Sequence, residues 1–107
     1  MITPVNYPEF REHTSKGWCV VEFWAEWCSP CRSMMSLVEE ISDDFDGEIS
    51  FFSVNVDDNR LLATEMRIGT VPTILLMRDG IITHRWQGLV SRENILFDIQ
   101  RHSTSDL

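Results

Sequence analysis

Residues 21–31 read Val21-Glu22-Phe23-Trp24-Ala25-Glu26-Trp27-Cys28-Ser29-Pro30-Cys31, and this stretch decides the fold. The run 19–24 is almost continuously apolar and rich in β-branched residues, which is typical of a strand covered on both faces. Pro30 suits the first turn of a helix, because an amide N–H is not needed there. We therefore predict that a buried strand passes into a helix at Cys28.

Strand and helix patterns alternate on both sides of this junction. After Cys31, apolar residues recur at helical spacing until Gly47, which predicts an amphipathic helix. Asp79-Gly80 is typical of a hairpin turn. The remaining patterns predict strands over 2–5, 49–56, 73–77 and 81–86, and helices over 8–15, over 59–66 and from Ser91 onward. This order predicts an α/β fold with a central mixed sheet of five strands, or four strands plus a short N-terminal one, flanked by four helices.

Length and charge limit the classes of function. A chain of 107 residues is the size of one domain, predicted to span 1–107. Nine basic and 17 acidic residues give a net charge of −8, which excludes a basic nucleic-acid footprint. The sequence contains no apolar run near the ~20 residues of a membrane helix. The N-terminal residues do not resemble a secretory signal, so we expect a cytoplasmic protein that binds neither nucleic acid nor membrane.

The pair Cys28 and Cys31 predicts thiol–disulfide exchange. Amide N–H groups and the partial positive charge at a helix N-terminus favour a thiolate, the form that attacks disulfides. Cys31 follows one turn later, close enough to attack a mixed disulfide on Cys28. A zinc site needs two further ligands, and Cys19 with the scattered histidines supplies no second pair at ligand spacing. We therefore expect no metal, and we interpret Cys19 as a small buried hydrophobe.

Glu22 interrupts a strand that is otherwise suited to burial. Strand alternation places it on the same face as Trp24, opposite Cys19, Val21 and Phe23. It is either an edge-strand glutamate that reaches water or a buried carboxyl with a raised pKa. The second interpretation predicts a group that carries a proton to or from Cys31.

Taken with four later segments, residues 21–31 resemble the thioredoxin family. These segments are Val54-Asn55-Val56-Asp57, Val71-Pro72-Thr73, Asp79-Gly80 and Gly88. The likeness runs from about residue 10 to residue 101. It implies the thioredoxin fold and a thiol–disulfide oxidoreductase that reduces disulfides of client proteins.

The resemblance also implies roles for individual residues. Cys28 would be the nucleophile and Cys31 the resolving thiol, with Glu22 as the buried carboxyl. Pro72 would be a cis-proline lying against the disulfide. The docking groove for clients would consist of Trp27, Ser29, Pro30, Val71, Pro72 and Gly88. Such proteins bind no cofactor, cycle between dithiol and disulfide, receive electrons from a partner such as thioredoxin reductase, and are expected to be monomers.

Several residues depart from the family pattern near the site. Ser29 replaces the usual glycine, so that the motif is WCSPC and not WCGPC. Glu22 replaces an aspartate, and Ser53 replaces the lysine that usually partners it, which predicts a high pKa for Glu22. Trp86 and Gln87 are expected to give the groove a different face beside Gly88.

These departures leave the direction of electron flow open. A general disulfide reductase is the first hypothesis. A protein with a dedicated client, or with a more oxidising role as oxidase or isomerase, is the second. A non-catalytic subunit of a larger complex is the third, and it would have no need for both cysteines and a buried carboxyl.

Overall fold

Five strands and four helices alternate along the computed structural model, which describes residues 1–104. The last three residues of the predicted domain, 105–107, lie outside the described part. In chain order the elements are β1 (Ile2–Pro4), α1 (Glu9–Thr14), β2 (Trp18–Trp24), α2 (Ser29–Asp44), β3 (Ser50–Asn55), α3 (Arg60–Glu65), β4 (Thr73–Arg78), β5 (Ile81–Gln87) and α4 (Arg92–Thr104). This is the predicted order of elements, and the predicted junction at Cys28 lies between β2 and α2.

The strands form one mixed sheet in the order β1-β3-β2-β4-β5. The pairs β1–β3 and β2–β3 are parallel, whereas β2–β4 and β4–β5 are antiparallel. The prediction of a five-stranded mixed sheet flanked by four helices is confirmed. β1 has three residues and is the short N-terminal strand of that prediction.

The alternating side chains of β2 separate two apolar cores. Val21 and Phe23 pack in the core that includes Phe10 of α1 and Leu62 of α3. Val20 packs in the other core, with side chains of α2 and α4. Helices α1 and α3 therefore cover one face of the sheet, and α2 and α4 cover the other. Glu22 is two residues from Val20 on the same strand, so its side chain points to the face covered by α2 and α4.

Strand register brings three chain segments together at the C-terminal end of β2. Phe23 pairs with Thr73, so the start of β4 lies beside the end of β2. Trp24 pairs with Asn55, the last residue of β3. The segments before β4 and after β3 therefore border the β2–α2 junction, which is where an α/β sheet usually carries its site.

Two helix boundaries show how the local sequence ends or begins an element. α2 ends at Asp44, slightly before Gly47, whose φ of 83° is in the left-handed region that glycine adopts readily. At the start of α4, the amide of Asn94 donates to the hydroxyl of Ser91 at 3.1 Å, as expected of an N-terminal cap. Within residues 1–104, no helix combines the length and apolar character needed to cross a membrane.

Candidate active site

Cys28 and Cys31 form a disulfide at the N-terminus of α2. Cys28 is the N-cap residue, and its sulfur accepts a hydrogen bond from the Cys31 amide at 3.2 Å. The Cα atoms of the two cysteines are 5.3 Å apart, within the ordinary range for a disulfide. Because the cap position aims a backbone N–H at the Cys28 sulfur, the same geometry would stabilise a thiolate after reduction.

The segment before β4 forms one wall of the site. Val71 packs with Cys28 and Cys31 in a small apolar cluster. The Val71–Pro72 peptide bond is cis, and Pro72 is buried. The amide of Gly88 donates to the Pro72 carbonyl at 2.9 Å, which holds the segment after β5 against this wall. The structure therefore brings Val71 against the disulfide and joins Pro72 to Gly88.

The loop between β2 and α2 forms the exposed rim. Trp27 is 71% exposed, and Ser29 and Pro30 are also exposed. The indole N–H of Trp27 donates to the Asp57 carboxylate at 3.0 Å. The ring is therefore fixed on the surface by a residue from the loop after β3. Since the rim and the wall both border the disulfide, together they make a shallow site at the protein surface.

Glu22 lies in the interior of the sheet. The residue is 0% exposed, and neither carboxyl oxygen has a hydrogen-bond partner among residues 1–104. Burial raises the pKa of Glu22 to about 8. The edge-strand alternative is wrong, because β2 is the central strand, with β3 on one side and β4 on the other. A carboxyl in this setting keeps its proton at neutral pH.

A recess of about 300 Å³ is lined by Cys31 and by two neighbours of Glu22. Cys31, Trp24 and Ser53 all line it. Ser53 pairs in register with Glu22, and Trp24 is the next residue on the same face of β2. The residue that replaces the usual lysine therefore faces open space, and Glu22 gains no counter-charge from it.

Trp86 and Cys19 are both core residues. Trp86 is 5% exposed, and its indole N–H donates to Asp98 at 2.8 Å. The expectation that Trp86 shapes the groove is therefore wrong, because strand alternation turns its ring into the core under α4. Cys19 is a free, buried cysteine, and burial raises its pKa to about 12. Cys19 is therefore a buried core residue, as the sequence predicted.

Two residues at the site could not be recognised from the sequence. The sequence offers no reason to assign Asp57 a role at the site, but Asp57 holds Trp27 in place. A contact between residues 30 positions apart leaves no local signal in the sequence. Leu89 follows Gly88 and is 69% exposed, and an apolar residue left exposed beside the groove is recognisable only in the structure. Within residues 1–104, no group of three or more His, Cys, Asp or Glu side chains is arranged to hold a metal ion.

Comparison with known proteins gives one consistent result. The sequence model of the family described as Thioredoxin matches residues 1–101. A protein named Thioredoxin from Staphylococcus saprophyticus is 30% identical over 101 residues, which cover 94% of this chain and 97% of that protein. Proteins of the same name from Staphylococcus haemolyticus and Staphylococcus aureus are 30% and 28% identical over the same shares of both chains.

Proposed function

This chain belongs to the thioredoxin family, and on that premise we propose that Cys28 attacks the disulfides of client proteins and Cys31 releases them. The chain is a thiol–disulfide oxidoreductase that acts on protein disulfides. The observation that carries the proposed roles is the position of Cys28 as the cap of α2, where the Cys31 amide points at its sulfur. Cys31, one turn further along the helix, is 1% exposed against 4% for Cys28, and we assign it the second step.

The exchange has two steps. The Cys28 thiolate attacks one client sulfur, and the other client sulfur leaves as a thiolate. The Cys31 thiolate then attacks the Cys28 sulfur, and the second client thiolate leaves. The client has gained two electrons and, after protonation, two thiols, and the protein holds the Cys28–Cys31 disulfide.

Glu22 takes the proton that Cys31 loses in the second step. A thiol must be deprotonated before it attacks, and Cys31 is only 1% exposed, so a nearby base would assist this step. Glu22 lies beside Ser53 and Trp24, which line the same recess as Cys31. With a pKa of about 8, Glu22 can both accept and return a proton near neutral pH.

The docking groove consists of Trp27, Ser29, Pro30, Val71, Pro72 and Gly88. Trp27 offers an exposed ring, and Val71 lies against the disulfide. An extended client segment could form hydrogen bonds with the backbone at Val71, since the strand begins only at Thr73. We include an electron donor such as thioredoxin reductase, a monomeric state and a cytoplasmic location in the proposal.

A trapping experiment tests the roles of the two cysteines. In a Cys31→Ser variant, Cys28 can attack but the mixed disulfide cannot be resolved, so client proteins should accumulate on the variant as a species that reductant releases. A Cys28→Ser variant should trap none, and a Cys19→Ser variant is the matched control that should turn over like the unchanged protein. Trapping on Cys31 in the Cys28→Ser variant would reverse the assignment. Full activity of a Cys28→Ser, Cys31→Ser protein in the cell would favour the non-catalytic alternative.

The pH dependence of exchange tests the role of Glu22. The rate of the resolving step should rise with pH around pH 8, because the carboxylate form accepts the proton. Glu22→Gln should slow this step several-fold and remove that inflection. An unchanged pH–rate profile in the variant would contradict the role of Glu22.

A further inference from the structure

A second recess lies beside the groove, on the side of Trp27. It has a volume of about 340 Å³ and lies between the loop that carries Tyr7 and the start of α3. Leu61 and Tyr7, which line it, are 77% and 47% exposed. Two large side chains facing one recess make a larger apolar surface than a single exposed residue does.

This recess is continuous with the groove through Asp57. Asp57 lines the recess and accepts the hydrogen bond from the Trp27 indole at 3.0 Å. Trp27 immediately precedes Cys28, so this hydrogen bond links the lining of the recess to the rim of the disulfide.

Buried hydrogen bonds hold the two walls of the recess together. Asn59 is 6% exposed, and its side-chain oxygen accepts from the Tyr7 amide at 2.9 Å. Its amide group donates to the Asn6 side chain and to the Asn55 carbonyl, both at 2.9 Å. The recess therefore exists before any partner binds, and binding requires little reordering of the protein.

The charges around the recess favour a basic partner segment. Asp57 and Asp58 line it together with a single cation, Arg60, so its charged residues sum to a negative value. One carboxylate oxygen of Asp57 already accepts the hydrogen bond from Trp27. Asp58 is exposed and is therefore the carboxylate that can pair with a partner. The net charge of −8 of the whole chain acts in the same direction.

We propose that this recess is a second docking site for client proteins, which binds an apolar side chain followed by a Lys or Arg in the segment flanking the client disulfide. The apolar side chain lies between Tyr7 and Leu61, and the basic one pairs with Asp58. The inference rests on the proposed function, because the client disulfide must first occupy the groove at Cys28. According to this proposal, residues outside the groove determine which client proteins react faster.

The test compares disulfide peptides that differ only in the flank. One peptide carries Leu-Lys at about four to six residues from its cysteine, a reach of roughly 13–20 Å in extended chain. A second carries Ser-Ser at the same positions, and a third carries Leu-Glu. The second-order rate constant for oxidation of the fully reduced protein by each peptide is measured by quenched flow. The small neutral compound bis(2-hydroxyethyl) disulfide reports exchange at Cys28 without any flank.

Leu61→Ser should lower the rate constant about tenfold for the Leu-Lys peptide and leave the Ser-Ser peptide and the small disulfide unchanged. Phe97→Ser is the matched control, because Phe97 is 64% exposed on α4, on the opposite face of the sheet. Asp58→Lys should reverse the preference between the Leu-Lys and Leu-Glu peptides. Such a reversal requires a charge contact at the recess, which a general loss of stability would not produce.

Three results would overturn the proposal. Equal rates for all three peptides would show that the recess has no role in client choice. An equal loss on the Leu-Lys and Ser-Ser peptides would mean that Leu61 does not contact the apolar flank. A Leu61→Ser variant that reacts normally with all peptides but is reduced more slowly by thioredoxin reductase would assign the recess to binding of the electron donor. In each case, exchange that still requires Cys28 would leave the proposed function standing.

Discussion

Two carboxyl groups on the same side of the sheet behave in opposite ways. Glu22 on β2 is fully buried, lacks a hydrogen-bond partner among residues 1–104 and has its pKa raised by burial to about 8. Asp98 on α4 accepts hydrogen bonds from Trp86 and Arg101, and its carboxylate lies 3.2 Å from Nε2 of His84. Burial works to raise the pKa of Asp98, but the hydrogen bonds from Trp86 and Arg101 outweigh it and lower that pKa.

The difference in pKa distinguishes a carboxyl group that can exchange a proton near neutral pH from one that stays charged and stabilises the fold. A group with hydrogen-bond donors around it stays charged and stabilises the fold. A group without donors destabilises the fold whenever it ionises, and its proton remains exchangeable near neutral pH. Only Glu22 lies beside the residues that line the recess at Cys31. The unsatisfied carboxyl therefore lies at the position where we propose proton transfer to Cys31.

Replacing the titratable carboxyl of Glu22 with an amide should produce the largest effect. Between the ordinary glutamate pKa of about 4.3 and the value of about 8 in the fold, the unfolded chain has lost the proton and the folded chain retains it. The free energy of unfolding should fall with rising pH across this window, by up to about 5 kcal/mol at ~1.4 kcal/mol for each pKa step. Glu22→Gln should abolish this fall in urea unfolding from pH 4 to 9. Glu12→Gln, at an exposed site, is the control, and a fall of equal size in Glu22→Gln would contradict the assignment.

A positive charge next to Glu22 should lower its pKa, as the hydrogen-bond donors lower the pKa of Asp98. Ser53→Lys places an ammonium group next to Glu22 across the β2–β3 register, and the recess of about 300 Å³ has room for the longer side chain. The pKa of Glu22 should decrease by about two, which corresponds to nearly 3 kcal/mol. NMR titration of the Glu22 carboxyl carbon measures this. Ser50→Lys, at an exposed position of the same strand, should leave the pKa unchanged; an equal decrease there would mean that proximity plays no part.

Removing the charge of Asp98 should destabilise the fold moderately and with the opposite dependence on pH. Because its pKa is lowered in the fold, Asp98 adds stability above its unfolded pKa of about 3.9 and loses that contribution as the pH falls further. Asp98→Asn should cost about 2 kcal/mol at pH 7, as for a hydrogen bond to a charged group. The cost should shrink below pH 4 in denaturant unfolding. A cost that stays constant with pH would indicate lost packing instead of lost charge.

Removing one donor to Asp98 should have the smallest effect. Trp86→Phe keeps an aromatic ring in the core and deletes the indole N–H that donates at 2.8 Å. We expect a loss of about 1 kcal/mol, because Arg101 and His84 still contact the carboxylate. A double-mutant cycle with Asp98→Asn isolates this term. Strictly additive losses would show that the Trp86–Asp98 hydrogen bond contributes nothing.

The carboxyl at Glu22 could be predicted from the sequence, whereas the one at Asp98 could not. Glu22 is conspicuous because it interrupts an apolar strand, and strand alternation alone assigns its face. Asp98 lies on an amphipathic helix among other polar residues, and nothing local distinguishes it from a solvated one. Its partners Trp86 and His84 come from β5, and their approach depends on how α4 packs on the sheet.

The same physical distinction applies to the fold and to the groove. Hydrophobic period and turn residues are local, so the element order and the strand-to-helix junction at Cys28 could be predicted. The cis peptide before Pro72, the hydrogen bond from Gly88 to Pro72 and the contact between Trp27 and Asp57 are tertiary. The recess beside Leu61 is likewise formed by segments far apart in sequence, so no pattern in either segment predicts it.

The outermost strands of the sheet have a consequence for solubility. Strand edges carry unpaired backbone groups that can add a strand from another molecule and start aggregation. β1 is too short for a long ladder and ends at Pro4, which has no N–H to donate. On β5, the guanidinium of Arg85 donates to the carbonyls of Met66 and Arg67 at 2.9 and 3.2 Å, so a fixed cation stands along that edge. Both edges therefore resist pairing between copies of this chain.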